Sequence, residues 1–348
     1  MQHSATARLA EVGEAGILEA IQRIVTPTDP AVVVGIGDDA AVVQCRADRH
    51  LIATCDIQID GVHFRRASAA PYEIGWKAMA INLSDLAAMG GVPRFALISL
   101  ALPAELSLRW VEELYRGLTE MGSAYGIAVI GGNLSRTAGP ITVDVTLLGE
   151  VEEGAVVRRT GARAGDRLLV TGTLGASGAG RRLVEQGIQL PGRDVLMAAH
   201  LRPSPRVHEG RTAALSALAT AMIDLSDGLA TDLSRLCDVN NLGVRIDAGA
   251  LPIADEVRSA AAALGIDALD CALFGGEDYE LLMASPPAQA GALVDRITSE
   301  TGTPVTIIGT FVPSEEGRQV ITHRGSVPLA PQGWDHFQEE RPWGSPER

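Results

Sequence analysis

The sequence holds one lysine, Lys77, among 29 basic residues in 348. A phosphate-binding loop of the Walker A kind needs Gly-Lys-Ser/Thr, and Lys77 stands in Gly-Trp-Lys-Ala, so that loop is excluded. The His-Arg-Asp and Asp-Phe-Gly signatures of protein kinases are missing as well. Aromatic residues make up only 4%, so Ala, Val, Leu and Ile must fill the core. Cys45, Cys55, Cys237 and Cys271 form no Cys-x-x-Cys pair and read as free thiols of a cytoplasmic protein. No apolar run reaches the length of a membrane span. A net charge of −14 lacks the basic surface that nucleic acid requires. Phosphate ligands stay open, provided that metal ions bridge acid to acid.

What is present is a hydrophobic fraction of 46%, ordinary for a globular protein, at a length that favours two domains. Ile17, Ile21, Ile24 and Val25 fall on one face of an N-terminal amphipathic helix; the acids on that segment are unlike a signal peptide. Strand and helix patterns alternate through both halves, which predicts two α/β domains. The polar, basic stretch Arg158 to Asp166 follows a boundary near Glu152–Gly154, giving domains 1–151 and 152–348.

The chain is organised around Ile223 to Asp232. Ala221–Ile223 reads as a buried strand end, and Leu229, Leu233 and Leu236 as a helix. Between them Asp224, Ser226 and Asp227 offer an N-cap for that helix. The acids exceed what a cap needs, so a metal site and a capped helix beside a solvated acid both stand open. Ile81 to Leu86 matches Ile223 to Gly228 at four of six positions, as two copies of one site element or two similar helix starts. Gly35 to Asp39 places paired acids, Asp38 and Asp39, in a turn between apolar strands. A cation relieves their repulsion, although Gly-Asp-Asp is also ordinary turn chemistry.

Leu51 to Asp56 predicts a short buried strand ending in an acid, followed by a loop with His63, which taken alone is more often structural. Ile127–Ile130 predicts a strand, followed by the paired glycines Gly131 and Gly132, whose amides can approach an anion, with Arg136 able to add charge. Arg202 to Arg206, with two prolines, reads as a rigid linker. Gly275 to Glu280 carries three acids behind two glycines, with a strand beginning at Tyr279. The tail from Ser326 reads as loop, with Trp334 either pinning the terminus or capping a ring-binding pocket.

Gly35–Asp39, Trp76–Gly90, Gly131–Arg136, Arg202–Arg206, Ile223–Leu229 and Gly275–Leu281, in this order, together resemble the thiamine-monophosphate kinase family of the aminoimidazole-ribonucleotide-synthetase-like superfamily. The resemblance runs from about residue 12 to Trp334. It implies ATP-dependent phosphorylation of thiamine monophosphate, and a homodimer whose first domains pair into a shared barrel. It implies a first domain for metal, ATP and dimerisation, and a second that completes the nucleotide and substrate site. Asp39, Thr54, Cys55, Asp56, Asp85, Asn133, Asp224 and Asp227 fall on its magnesium positions. Gly132, Asn133, Arg159 and Ser226 fall on ATP contacts, and His63, Glu277 and Trp334 on substrate contacts. Asn133 and Cys55 depart from the family's common Asp and Thr. An amide oxygen still ligates magnesium, but without charge.

The implied chemistry suits the composition. A phosphate monoester carries roughly −1.5 to −2 charge near neutral pH and needs no base to become a nucleophile. The barrier lies in bringing two polyanions together, which several Mg²⁺ ions held by aspartates would lower. A metal-dependent phosphatase, a purine-pathway synthetase of the same superfamily and a non-catalytic nucleotide-binding module are the competing readings. Selenophosphate synthesis would need a reactive Cys ahead of the first acid pair, and none precedes Asp38.

Overall fold

The structure is a computed structural model and describes residues 6–25, 29–36 and 40–332. It divides into two compact units, one of residues 1–86 and 92–153, the other of residues 87–91 and 154–348. The architecture is mixed α/β in each.

The first unit holds α1 (Leu9–Ile24), β1 (Val32–Val34), β2 (Val42–Val43), β3 (Arg49–Ile59), α2 (Pro71–Ala88), β4 (Val92–Leu102), α3 (Leu108–Ser123), β5 (Ala128–Arg136) and β6 (Thr142–Glu152). Its sheet runs β3-β6-β4-β5, antiparallel except for the parallel β4–β5 pair. Period-two alternation decides its faces. Val143, Val145, Leu147 and Val151 are fully buried on β6, whereas Asp144, Thr146 and Glu150 between them are half-exposed. The buried face meets α2, where Leu86 lies against Gly149. α2 crosses α3 closely enough that a Cβ on Gly75 would sit 2.0 Å from the Leu114 carbonyl oxygen. α1 is amphipathic as expected, with a break at Gly13, φ 72°.

Four expectations change here. The strand over Leu51–Asp56 is not short and buried. β3 extends over Arg49–Ile59 at the sheet edge, Leu51 and Ile57 are 63% and 47% exposed, and Asp56 lies within it. The glycine pair does not end a strand, because β5 passes straight through Gly131 and Gly132. Gly132 is required at that point: its φ is 151°, and a Cβ would meet the Ile98 carbonyl oxygen at 1.8 Å. Ile81–Leu86 is no helix start; it lies inside α2. Ile223–Gly228 forms a strand end and a turn, so the two look-alike segments share no local structure and are not copies of one structural element.

The second unit contains β7 (Arg167–Thr171), α4 (Ala176–Glu185), α5 (Arg193–Leu201), α6 (Val207–Ser216), β8 (Ala221–Asp224), α7 (Leu229–Asn240), β9 (Leu242–Asp247), α8 (Asp255–Leu264), α9 (Ala268–Phe274), β10 (Leu281–Ser285), α10 (Pro287–Thr301), β11 (Val305–Pro313), β12 (Arg318–Thr322) and β13 (Gly325–Pro328). The sheet order is β13-β12-β9-β11-β7-β10-β8, with β12–β9 its parallel pair. One apolar core joins β7, β8, β9 and β11 to α7 through Leu168, Ile223, Leu233, Ile246 and Phe311. A second packs α4, α5, α8 and α9 through Leu183, Leu196, Val257 and Cys271.

Two strand ends shift. β10 begins at Leu281 and not at Tyr279, whose φ of 50° is left-handed and outside a pleated ladder. Ser326 belongs to β13, so the chain is not loop from that residue onward. Cys45 and Cys55 are exposed, Cys237 and Cys271 buried, and all four are free thiols. No helix among the described residues is long and apolar enough to cross a membrane.

Candidate active site

In the first unit the alternation of β3 sorts the candidates. Thr54 and Asp56 share the side that faces α2. The Thr54 hydroxyl donates to the Asp85 carboxylate at 2.6 Å. The Asp56 amide donates to the Asn82 side-chain oxygen at 3.1 Å, and Asn82 donates in turn to the Ala78 carbonyl at 3.0 Å. Three oxygen-bearing side chains thus converge where mid-α2 lies along β3. Cys55 faces the other way. Its thiol donates to Asp144 at 3.0 Å and accepts from Thr146 at 3.4 Å. The Asp144 carboxylate that takes its proton pushes the thiol up from its ordinary value.

Asn133 pairs in register with Ser99, and Ser99 with Asp144, whereas Asp56 pairs with the buried Val145. Asn133 therefore falls in the row of Asp144, and its side-chain oxygen accepts from the Leu134 amide at 3.0 Å. Next to it, Gly132 is exposed. His63 turns back on its own strand: its Nδ1 accepts from the Ile59 amide at 3.1 Å. The neutral ring then carries its proton on Nε2 and presents a donor. Asp39 and Trp334 lie outside the described residues.

In the second unit Asp224 ends β8 at 4% exposure, and Ser226 and Asp227 follow in a half-buried turn. Neither acid nor serine caps α7. The cap position is Gly228, φ 109°, without a side-chain bond. The reverse arrangement holds, since Asp232 on the first turn of α7 accepts from the Asp227 amide at 2.9 Å. Arg235 bridges Asp227 at 2.5 Å and Asp232 at 2.7 Å. Burial, and then the charges of Asp227 and Asp224, push Asp232 up to about 8. Asp232 and Arg235 escaped sequence reasoning, although an acid and a base three apart on a helix is a legible pair.

The three acids of Gly275–Glu280 go three ways. The Glu277 amide donates to the Ser226 carbonyl at 2.7 Å and the Tyr279 amide to the Leu225 carbonyl at 2.9 Å, which ties this segment to the Asp224 turn. The Glu277 carboxylate lies 3.0 Å from His200 Nδ1. Asp278 accepts from the Gly175 amide at 3.0 Å, just ahead of α4. Loss of solvent pushes it up to about 8, against the amide bonds that lower it. Glu280 takes Arg206 in a fork, so the acids here build the segment as much as they line it. Arg206 ends the stretch read as a linker and acts as an anchor. Arg159 is exposed, and its carbonyl accepts from Asn240 at 2.7 Å. Its neighbour Arg158 accepts from the Met222 amide at 3.0 Å, which sets this stretch beside β8.

Among the described residues no group of three or more His, Cys, Asp or Glu side chains is assembled as a metal cage. The donor chemistry nevertheless fits a hard divalent cation. Thr54, Asp56 and Asp85 offer oxygen alone, and Asp227 and Asp232 share one guanidinium, with the charge of Asp224 also acting on Asp232.

Both units match one kind of protein. Residues 37–151 match the AIR synthase related protein N-terminal domain, and residues 163–321 its C-terminal domain. The fold and its acid-bearing turns therefore define an AIR synthase-related protein. Thiamine-monophosphate kinase of Aquifex aeolicus is 36% identical over 332 residues, 95% of this chain and 100% of that one. That of Escherichia coli strain K12 is 38% identical over 309 residues, 88% and 92%. The crystal structure of the Stenotrophomonas maltophilia K279a kinase superposes with a TM-score of 0.79 at 38% identity, covering 87% of this chain and 94% of that one. AaThiL complexed with AMPPCP and TMP gives 0.75 at 36% identity, covering 96% and 100%. The chain belongs to the thiamine-monophosphate kinase family. The hydrogenase maturation protein HypE of E. coli shares the fold alone, at 20% identity and a TM-score of 0.76 over 94% of this chain and 98% of that one.

Proposed function

We propose that this chain transfers the terminal phosphoryl group of ATP to thiamine monophosphate, releasing thiamine diphosphate and ADP. The observation that carries the reading is the Asp224–Asp227 turn, buried at its first acid and bonded through Ser226 to Glu277. In this reading the turn that would bind a cation and the segment that carries a substrate-binding carboxylate are neighbours, joined by the bond from the Glu277 amide to the Ser226 carbonyl. Family membership over nearly the whole chain supports the same reaction, and so does the relative complexed with an ATP analogue and TMP.

In this reading Asp39, Thr54, Asp56, Asp85, Asn133, Asp224 and Asp227 would hold magnesium. Cys55 would take part through its backbone and not its thiol, which is engaged by Asp144 and too soft for this ion. The bound ions supply charge neutralisation and alignment for in-line transfer. Gly132 brings its amide close to phosphate, and Arg159 and Ser226 add a charge and a hydroxyl for the nucleotide. His63 donates from Nε2 to the substrate, with Glu277 and Trp334 on its ring end. No residue serves as general base, since the acceptor is already a phosphate anion. The domains read from the sequence, 1–151 and 152–348, divide this labour, the first also pairing into a barrel in a cytoplasmic homodimer.

The test is incubation of the protein with Mg²⁺, ATP and thiamine monophosphate, followed by chromatography. Thiamine diphosphate with an equal amount of ADP is expected. ADP and free phosphate without thiamine diphosphate would replace the kinase by a phosphatase.

A further inference from the structure

His200 lies in the last turn of α5 and meets two groups through one atom. Its Nδ1 is 3.0 Å from the Glu277 carboxylate and 3.1 Å from the hydroxyl of Ser177, which is buried at 1% exposure. A ring nitrogen facing a carboxylate acts as donor, so Nδ1 carries a proton shared between these two oxygens. Glu277 itself is fixed at the backbone on both sides. Its φ is 56°, left-handed for a residue with a long side chain, and its amide is bonded to Ser226. Asp278, the next residue, is bonded to the start of α4, the helix that carries Ser177. What the backbone leaves loose is the Glu277 side chain, with the rotamer freedom of three torsions. The contact with His200 is one constraint on it.

We propose that His200, steadied by Ser177, is a positioning residue that holds the Glu277 carboxylate as the subsite for the cationic ring end of the substrate. The proposal rests on the thiamine monophosphate reading above. A carboxylate is the group that a permanently charged heterocycle selects, and a fixed carboxylate binds it with less ordering cost than a mobile one. His200 acts through Glu277 and does not contact the phosphates, so its loss falls on acceptor binding and not on transfer.

Steady-state kinetics of the full chain with Mg²⁺ and ATP test this. His200→Ala is expected to raise KM for thiamine monophosphate about tenfold, the loss of one charge-assisted hydrogen bond, with kcat and KM for ATP within about twofold of wild type. His200→Asn, whose amide nitrogen reaches the Nδ1 position, is expected to restore most of that KM, and Ser177→Ala to give an intermediate value. Thermal melts accompany each variant. If His200→Ala does not fold, the comparison of His200→Asn with Ser177→Ala carries the test. A wild-type KM in His200→Ala, an equal rise in both KM values, or no rescue by Asn overturns the inference alone. A wild-type protein that turns over ATP but never thiamine monophosphate overturns the proposed function and this inference with it.

Discussion

Arg206 grips Glu280 in a two-point fork, Nε to one carboxylate oxygen and Nη2 to the other, both at 2.6 Å. Glu280 is 5% exposed, and Thr171 adds a third bond from its hydroxyl at 2.6 Å. The same hydroxyl accepts from the Leu281 amide at 2.8 Å. The pair therefore locks the entry of β10, directly behind Glu277 and Asp278, to the middle of the sheet.

Breaking one side of this pair should cost far more than replacing both. Arg206→Ala leaves a buried carboxylate with one neutral donor, and an unpaired buried charge costs about 3 kcal/mol or more. Arg206→Met with Glu280→Gln removes both charges and keeps an acceptor for Thr171, so about half of that loss should return. Urea unfolding of the three proteins measures this. Equal midpoints for the single and double variants would show that the charge is not what is being stabilised.

How far the sequence discloses the site follows from how local each signal is. Thr54 and Asp56 on one side of β3 are legible from alternation alone, and so is Cys55 on the other. Asp224 at a strand end is legible from the apolar run before it. Asp85 is harder, because Ile81–Leu86 mimics a helix start while the full 71–88 pattern continues unbroken through it. β5 passes through two glycines because the neighbouring strand approaches closely, a fact that resides in Ile98 and not in the glycines. His200 carries no local mark at all; it becomes meaningful only when α5 brings it to Glu277, 77 residues on in number (277 less 200). Arg206 looks like a linker residue for the same reason. Residues that act in place are readable, and residues that hold others in place are not.

Adjacent residues Cys55 and Asp56 separate the two faces of β3 and allow a paired test. Asp56→Asn removes a carboxylate from the side shared with Thr54 and Asp85, and turnover at saturating Mg²⁺ should fall about a hundredfold or more. Cys55→Ser changes a thiol that points to Asp144, and turnover should stay within about threefold of wild type with an unchanged Mg²⁺ requirement. The check is a magnesium titration of the initial rate, with circular dichroism confirming the fold. A Cys55→Ser variant that needs much more magnesium would place the side chain itself on the ion.

Asp278 links stability to pH with a sign opposite to most acids. Its folded value is pushed up from 3.8 to about 8, chiefly by loss of solvent. Between these two values the folded chain keeps a proton that the unfolded chain has released. Its contribution is complete below the unfolded value and is lost as pH rises through the folded one. Asp232, also raised to about 8, acts in the same direction. Asp278→Asn keeps an oxygen for the Gly175 amide but cannot titrate. Thermal melts from about pH 5 to 8 should therefore fall less steeply in Asp278→Asn than in wild type, with a residual slope from Asp232. Parallel slopes in the two proteins would mean that Asp278 is already ionised across this range, with the amides of α4 winning over desolvation.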